Sequence, residues 1–227
     1  MSASFETSFA AVPATVTDPD RDCPRCPRLV EFRQLHRGRE PEWFNAPVPS
    51  FLPCGGAKEA RLLIVGLAPG LRGANKSGRP FTGDYAGDLL YETLDAYGFS
   101  RGTFKARPDD GLELVGAAIT NAVRCVPPEN KPTGPEVKAC CPFLINTLAS
   151  MTNLTAILVL GRVAHETVLT TLEKRRASYP FSHGRVHDLG HYTLFNSYHC
   201  SRYNTNTGRL TPQMFRDVFD KIAAHLG

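Results

Sequence analysis

No stretch of the 227-residue chain holds the ~18 consecutive apolar residues that a membrane-spanning helix requires, so no helical span is expected. The opening segment, "MSASFETSFAAVPATVTDPDRD", lacks a basic stretch followed by an apolar core. That argues against a secretory leader and for a cytoplasmic protein with no membrane partner. No internal repeat is present, and no low-complexity segment beyond this small, polar, proline-punctuated start. Residues 1–22 are therefore expected to form a flexible tail, and 23–227 a single domain. Charge of either sign is not abundant either. A net charge of +4 is compatible with a polyanionic partner but does not identify one. One further absence concerns a loop that invites a phosphate-binding reading, "GLAPGLRGANKSGRPFTGD". A phosphate-binding loop has glycine before its Lys-Ser/Thr pair and a helix after it. Here Asn75 precedes Lys76-Ser77, and Gly78 and Pro80 follow, which argues against a nucleotide-hydrolysing enzyme.

Cysteine, by contrast, is present in unusual number for a reducing compartment, with seven residues. Disulfides are not expected there, so clustering suggests a metal or an inorganic cluster. Cys23 and Cys26 form a C-x2-C pair, and Cys125 and Cys140 lie far downstream. Two separated pairs are a common way to assemble a four-thiolate site, and both zinc and an iron–sulfur cluster accept one. Cys141 competes with Cys140, but neighbours on a helix point about 100° apart, so only one can face the site. Cys54 and Cys200 are left over.

Strand and helix patterns alternate four times. "RLLIV", "ELVGAAITNAVRC", "TAILVLG" and "HYTLFNSYH" read as strands. "GDLLYETLDAYGF", "PEVKACCPFLINTLASM", "RVAHETVLTTLEKRR" and "TPQMFRDVFDKIAAHLG" read as helices. This order predicts a three-layer α/β/α sandwich around a small, mostly parallel four-stranded sheet. In such folds ligands bind outside the carboxyl ends of the strands. Those ends carry the glycine-rich loop, Asn121, Gly161 and His199.

Four blocks, taken in order, carry a resemblance: "CPRC", "GLAPGLRGANKSGRPFTGD", "TNAVRCVPPENKPTGPEVKAC" and "SYHCSRYNTNTGRLT". Together they run from residue 23 to 211 and resemble the uracil-DNA glycosylase superfamily, most closely its iron–sulfur family 5, the UDGb type. The resemblance implies the uracil-DNA glycosylase-like fold and a monofunctional DNA repair glycosylase. Such an enzyme hydrolyses the N-glycosidic bond of uracil, and of other deaminated bases such as hypoxanthine and xanthine, leaving an abasic site. It also implies a structural [4Fe-4S] cluster on Cys23, Cys26, Cys125 and Cys140, with zinc as the alternative. DNA containing uracil or deaminated bases is the implied partner, and a monomer is expected. The runner-up reading is a non-catalytic, zinc- or cluster-dependent nucleic-acid binding module.

Site roles follow from that resemblance. Family 4 relatives carry "GEAPG", whereas this chain has Leu67 in place of the acid, as family 5 does. The remaining acid near the site is Asp84, expected to orient water unless it merely caps the following helix. His199 is expected to donate to the base oxygen as negative charge develops. Gly66, Leu67 and Ala68 would line the base pocket with backbone, Phe81 would stack on the base, and Asn121 would pair with its edge. Asn130 is a further candidate. Ser201, Arg202, Asn204, Lys76 and Arg79 are expected at DNA phosphates. The family's H-P-S triplet reads His199-Cys200-Ser201 here, so a stiffening proline is missing and a thiol open to oxidation takes its place.

Overall fold

The computed structural model describes residues 16–227. In chain order the strands are β1 Leu62–Gly66, β2 Ser100–Arg101, β3 Glu113–Leu114, β4 Ala117–Asn121, β5 Ala156–Leu160, β6 Val186–Asp188 and β7 Thr193–Ser197. The helices are α1 Pro27–Arg39, α2 Ala74–Ser77, α3 Tyr85–Ala96, α4 Gly134–Ser150, α5 Arg162–Thr171, α6 Arg202–Asn206 and α7 Pro212–Leu226.

The central sheet has the order β4-β1-β5-β7-β6. Its first four strands are parallel, and β6 is an antiparallel edge on β7. Every residue of β1, β4 and β5 is buried, as expected of strands covered on both faces. Side-chain alternation divides them between two cores. Leu62 and Ile64 of β1 face Leu90 and Leu94 of α3 and Phe215 and Phe219 of α7. Leu63 and Val65 face Leu144 and Leu148 of α4 and Val168 and Leu169 of α5. Each such side chain, removed fully from water, contributes about 1.5–3 kcal/mol of transfer free energy.

The expected architecture holds, with three corrections. The sheet has five strands rather than four, because β6, only three residues long, was not anticipated. The expected strand "ELVGAAITNAVRC" is broken at Gly116, whose φ of 62° turns the chain. Residues before the break form β3, which pairs with β2 in a separate two-stranded ribbon. Residues 16–22, expected within a flexible tail, are joined to the body. Val16 packs on the second core, and Asp18 accepts hydrogen bonds from Ser50 N and from Arg124 Nη1 at 2.7 Å. Residues 1–15 of that tail lie outside the described residues.

Helix starts explain how the site is framed. Thr133 and Glu136 form a capping box at α4, with the Thr133 amide donating to Glu136 Oε2 at 2.7 Å. The same Glu136 accepts two hydrogen bonds from Arg28, at 2.8 Å each, which joins α4 to α1.

Candidate active site

The carboxyl ends of β1, β4 and β7 meet at one small cavity of about 30 Å³. Ala68, Gly70, Phe81, Asp84, Asn121 and His199 line it. A space of this size holds ordered water, since one water needs roughly 10–15 Å³.

Gly66 ends β1 opposite Asn121 in the parallel register. A Cβ there would run into the Asn121 amide oxygen and come 2.7 Å from the Phe81 ring. Glycine is therefore what lets amide, ring and backbone converge. Asn121 is 3% exposed, and its side chain lines the cavity. The Gly66 and Leu67 carbonyls accept from the Ala122 and Val123 amides, which carries the β1–β4 pairing past the end of β4. Leu67, expected in the pocket wall, does not line the cavity.

Phe81 is buried with a φ of 53°, an uncommon conformation for a residue with a side chain. Its ring stacks beside the His199 imidazole, centroids 5.8 Å apart and planes at 28°. Asp84 occupies the N-cap position of α3 but makes no capping hydrogen bond through its side chain. Its Oδ1 is buried without a partner among the described residues. A Cβ on Gly73 would collide with this carboxylate, so the loop backbone closes tightly around it. Burial raises the Asp84 pKa, partly offset by the nearby Ala86 and Gly87 amides.

His199 follows β7, and its Nδ1 is likewise buried without a partner among the described residues. Burial pushes its pKa down to about 4, so the ring is neutral at neutral pH. The missing proline is replaced by other anchors. Cys200 is fully buried and its thiol donates to the Ala86 carbonyl at 3.4 Å, which shields it from the oxidation expected of an exposed thiol. Asn204 Nδ2 donates to the His199 carbonyl at 2.8 Å, and Ser201 Oγ accepts from the Asn204 amide to cap α6.

A second small cavity, at the start of α1, is lined by Cys23, Cys26, Cys125 and Cys140 together with Leu29, Arg33 and Phe143. Cys141 points elsewhere, its Sγ 3.1 Å from Thr171 Oγ1, as the helical spacing requires of one of the pair. Cys54 is exposed. Among the described residues no three His, Cys, Asp or Glu side chains are arranged to hold a single metal ion. Sulfur acceptors here are met by nitrogen donors. Arg33 Nη1 donates to Cys125 Sγ at 3.6 Å and the Arg124 amide to Cys140 Sγ at 3.4 Å. Arg33 Nε is buried and unpartnered among the described residues.

Residues 53–223 match the family described as "Uracil DNA glycosylase superfamily". The chain belongs to the uracil DNA glycosylase superfamily. Among similar proteins is a Type-5 uracil-DNA glycosylase of Thermus thermophilus, 44% identical, with 86% of this chain and 90% of that protein covered. One of the same description from Pyrobaculum aerophilum is 38% identical, covering 91% and 90%. A Type-4 uracil-DNA glycosylase of Pyrobaculum aerophilum is 32% identical, covering 68% and 63%.

Around this cavity the expected phosphate contacts fall into two groups. Arg202 is exposed, with its guanidinium 5.4 Å from the Tyr85 ring centroid. Lys76 is exposed, 5.8 Å from the Trp43 ring centroid. With Arg72 and Arg107 it lines an open cleft of about 590 Å³. Ser201 and Asn204 are instead engaged in holding the loop. Arg79 is corrected outright: its side chain is 7% exposed and bound to Asp110, out of reach of any phosphate. Asn130 is exposed on a turn with a φ of 57° and does not reach the cavity. Sequence reasoning missed Tyr203, which stands 72% exposed on α6 beside the His199 loop. The only signal for it was an aromatic residue in an otherwise polar segment.

Among the described residues no helix is long and apolar enough to cross a membrane.

Proposed function

We propose that this chain is a DNA repair glycosylase that hydrolyses the N-glycosidic bond of uracil in DNA. Hypoxanthine and xanthine are further substrates. The single observation that carries the reading is the water-sized cavity onto which Asp84 and His199 both open, each with a buried polar atom left without a partner. Phe81 and Asn121 complete the same cavity. Unpaired buried polar atoms cost free energy in the resting protein, so their presence together calls for a ligand or a reacting water.

The chemistry follows from these groups. The target nucleotide leaves the helix at a cost of a few kcal/mol, least for a mispaired base. Its base enters between Phe81 and Asn121 as the water-sized cavity widens, the ring covering one face and the amide offering both a donor and an acceptor to the edge. As the glycosidic bond lengthens, the sugar gains positive charge and the base negative charge. Neutral His199 donates a hydrogen bond to the base oxygen, and the Asp84 carboxylate orients the water that adds to the sugar. The reading of bases beyond uracil is supported by Leu67, which stands where family 4 relatives carry an acid, and by an amide that meets a purine lactam as well as a pyrimidine one. All these residues come from one chain, which is consistent with a monomer.

The cysteine cavity belongs to the same reading. Four thiols gather at it, a donor set that suits an all-sulfur iron–sulfur site, with structural zinc as the alternative. Cys23, Cys26, Cys125 and Cys140 would hold a [4Fe-4S] cluster, which supplies a covalent staple between α1, the end of β4 and α4. Arg33 and the Arg124 amide would donate to its sulfurs.

The deciding measurement is base release from oligonucleotides carrying uracil, hypoxanthine or xanthine, in single and double strands. DNA binding with no base released would instead indicate a non-catalytic binding module. Asp84→Asn is expected to slow single-turnover excision by about 10²-fold, near the low end for a group of this kind because the amide still holds the water. An unchanged rate on hypoxanthine would sink the role in water orientation. Tyr203→Ala is expected to lower excision from duplex DNA by about tenfold and from single strands much less, because an exposed ring at the rim can fill the space a flipped base vacates. Equal loss in both strand contexts would overturn that role.

A further inference from the structure

The loop that carries Phe81 contains a charge pair for which base excision has no direct use. Arg79 Nη1 and Nη2 donate to Asp110 Oδ1 and Oδ2, each at 2.8 Å, and Arg79 Nε donates to Thr82 Oγ1 at 2.8 Å. Three of the five guanidinium N–H groups are in use, one on each nitrogen, a fork that a lysine could not reproduce. The guanidinium also sits 5.3 Å from the Phe51 centroid, 5.5 Å from Tyr91 and 5.7 Å from Phe104. Asp110 is itself fixed, because it accepts from the Lys105 and Leu112 amides at 2.9 and 3.0 Å. The Tyr91 hydroxyl donates to the Pro80 carbonyl at 2.7 Å, and Ser77 Oγ donates to the Thr82 carbonyl at 2.9 Å. Both residues that flank Phe81 are thus held, Pro80 by its carbonyl and Thr82 by its hydroxyl and its carbonyl.

Phe81 needs such holding. Its positive φ is unfavourable for a residue with a Cβ and persists only where the surroundings impose it. Released, the backbone would relax and swing the ring away from His199 and Gly66. We propose that Arg79, with Asp110 as its counter-ion, is a positioning residue that fixes the stacking face of Phe81 for the extruded base. It acts by way of Thr82 and Pro80 rather than by touching DNA. The inference rests on the reading of Phe81 as a base-stacking residue.

A double-mutant cycle tests it, with single-turnover excision of uracil from a duplex as the readout. Asp110→Asn is measured in the wild-type chain and again in a Phe81→Ala background. If the pair acts through Phe81, Asp110→Asn slows excision by about tenfold in the first and less than about twofold in the second. Equal loss in both backgrounds overturns the positioning role, because a merely structural pair would cost the same with or without the ring. Should Asp110→Asn fail to fold, Thr82→Val is put through the same cycle. It removes the acceptor of Arg79 Nε and the hydroxyl that donates to the Pro80 carbonyl but leaves the Arg79–Asp110 pair in place, and the same non-additivity is expected with a smaller loss. Full excision by Phe81→Ala would overturn the stacking reading itself and the inference with it, an outcome distinct from additivity of the two substitutions.

Discussion

His199→Ala is expected to slow single-turnover excision of uracil by about 10²–10³-fold, the usual loss when one donor to a developing negative charge is removed. Affinity for the same DNA should stay within about threefold, because an interaction made only as the bond breaks contributes to the rate and not to ground-state binding. The geometry explains why the loss is large. His199 stands on the cavity against Phe81, and among the described residues no other titratable side chain but Asp84 lines it. Asp84 is an acceptor when ionised and cannot take over as donor. Burial holds the imidazole neutral at physiological pH, so it donates through the one N–H of the neutral ring. Wild-type turnover by the alanine variant would remove His199 from the chemistry.

The same burial makes a stability claim with a definite sign. Unfolded, His199 takes up a proton near pH 6.5, whereas in the native protein it resists protonation until about pH 4. The unfolded state therefore binds more protons across that window, and native stability falls as pH drops from about 6.5 to 4. His183 and His187 are also pushed down by burial and act in the same direction. In His199→Ala their contribution remains, so the urea midpoint should decline less steeply with acid than in the wild type, not become flat.

What the sequence revealed of this site depended on distance along the chain. Phe81, Asp84, Asn121 and His199 lie in short blocks at the ends of buried strands, and strand ends are where an α/β fold gathers its ligands. Helical rotation allowed only one of Cys140 and Cys141 to face the site, the resemblance pointed to Cys140, and the contact of Cys141 with Thr171 agrees. Arg79 was misread for the opposite reason. Its charge suggested a phosphate, but its partner lies 31 positions away in an irregular segment, and no local pattern announces a pairing of that kind. β6 and α6, with three and five residues, are too short to display a period of 2 or 3.6. The tail boundary failed likewise. Asp18 is bound to Arg124, more than a hundred positions on, a contact that composition cannot foresee.

The second large effect is expected at the other cavity. On the proposed cluster assignment, Cys125→Ser should cost the protein its iron and its visible colour and lower the melting temperature by about 10–15 °C. Loss of a structural metal group is among the few single changes that exceed ~4 kcal/mol, and each kcal/mol moves a chain of this size by roughly 2–4 °C. Cys141→Ser, whose thiol faces Thr171, should leave both properties intact and serves as the matched control. Activity should fall with the ligand as well, because the cysteine site and the base pocket share supports. Cys125 closes the turn that begins at Asn121. At the far end of α1, Asn45 Nδ2 donates to the His36 and Glu40 carbonyls at 3.2 and 2.7 Å. Asn75 Nδ2, on α2 of the active-site loop, donates to Asn45 Oδ1 at 2.9 Å. A chain freed at Cys23, Cys26 and Cys125 thus loosens both the strand end that presents Asn121 and the helix that backs the loop of Phe81 and Asp84. Full iron content and an unchanged melting temperature in Cys125→Ser would remove that residue from the ligand set. An active, colourless wild type loaded with zinc would replace the cluster altogether.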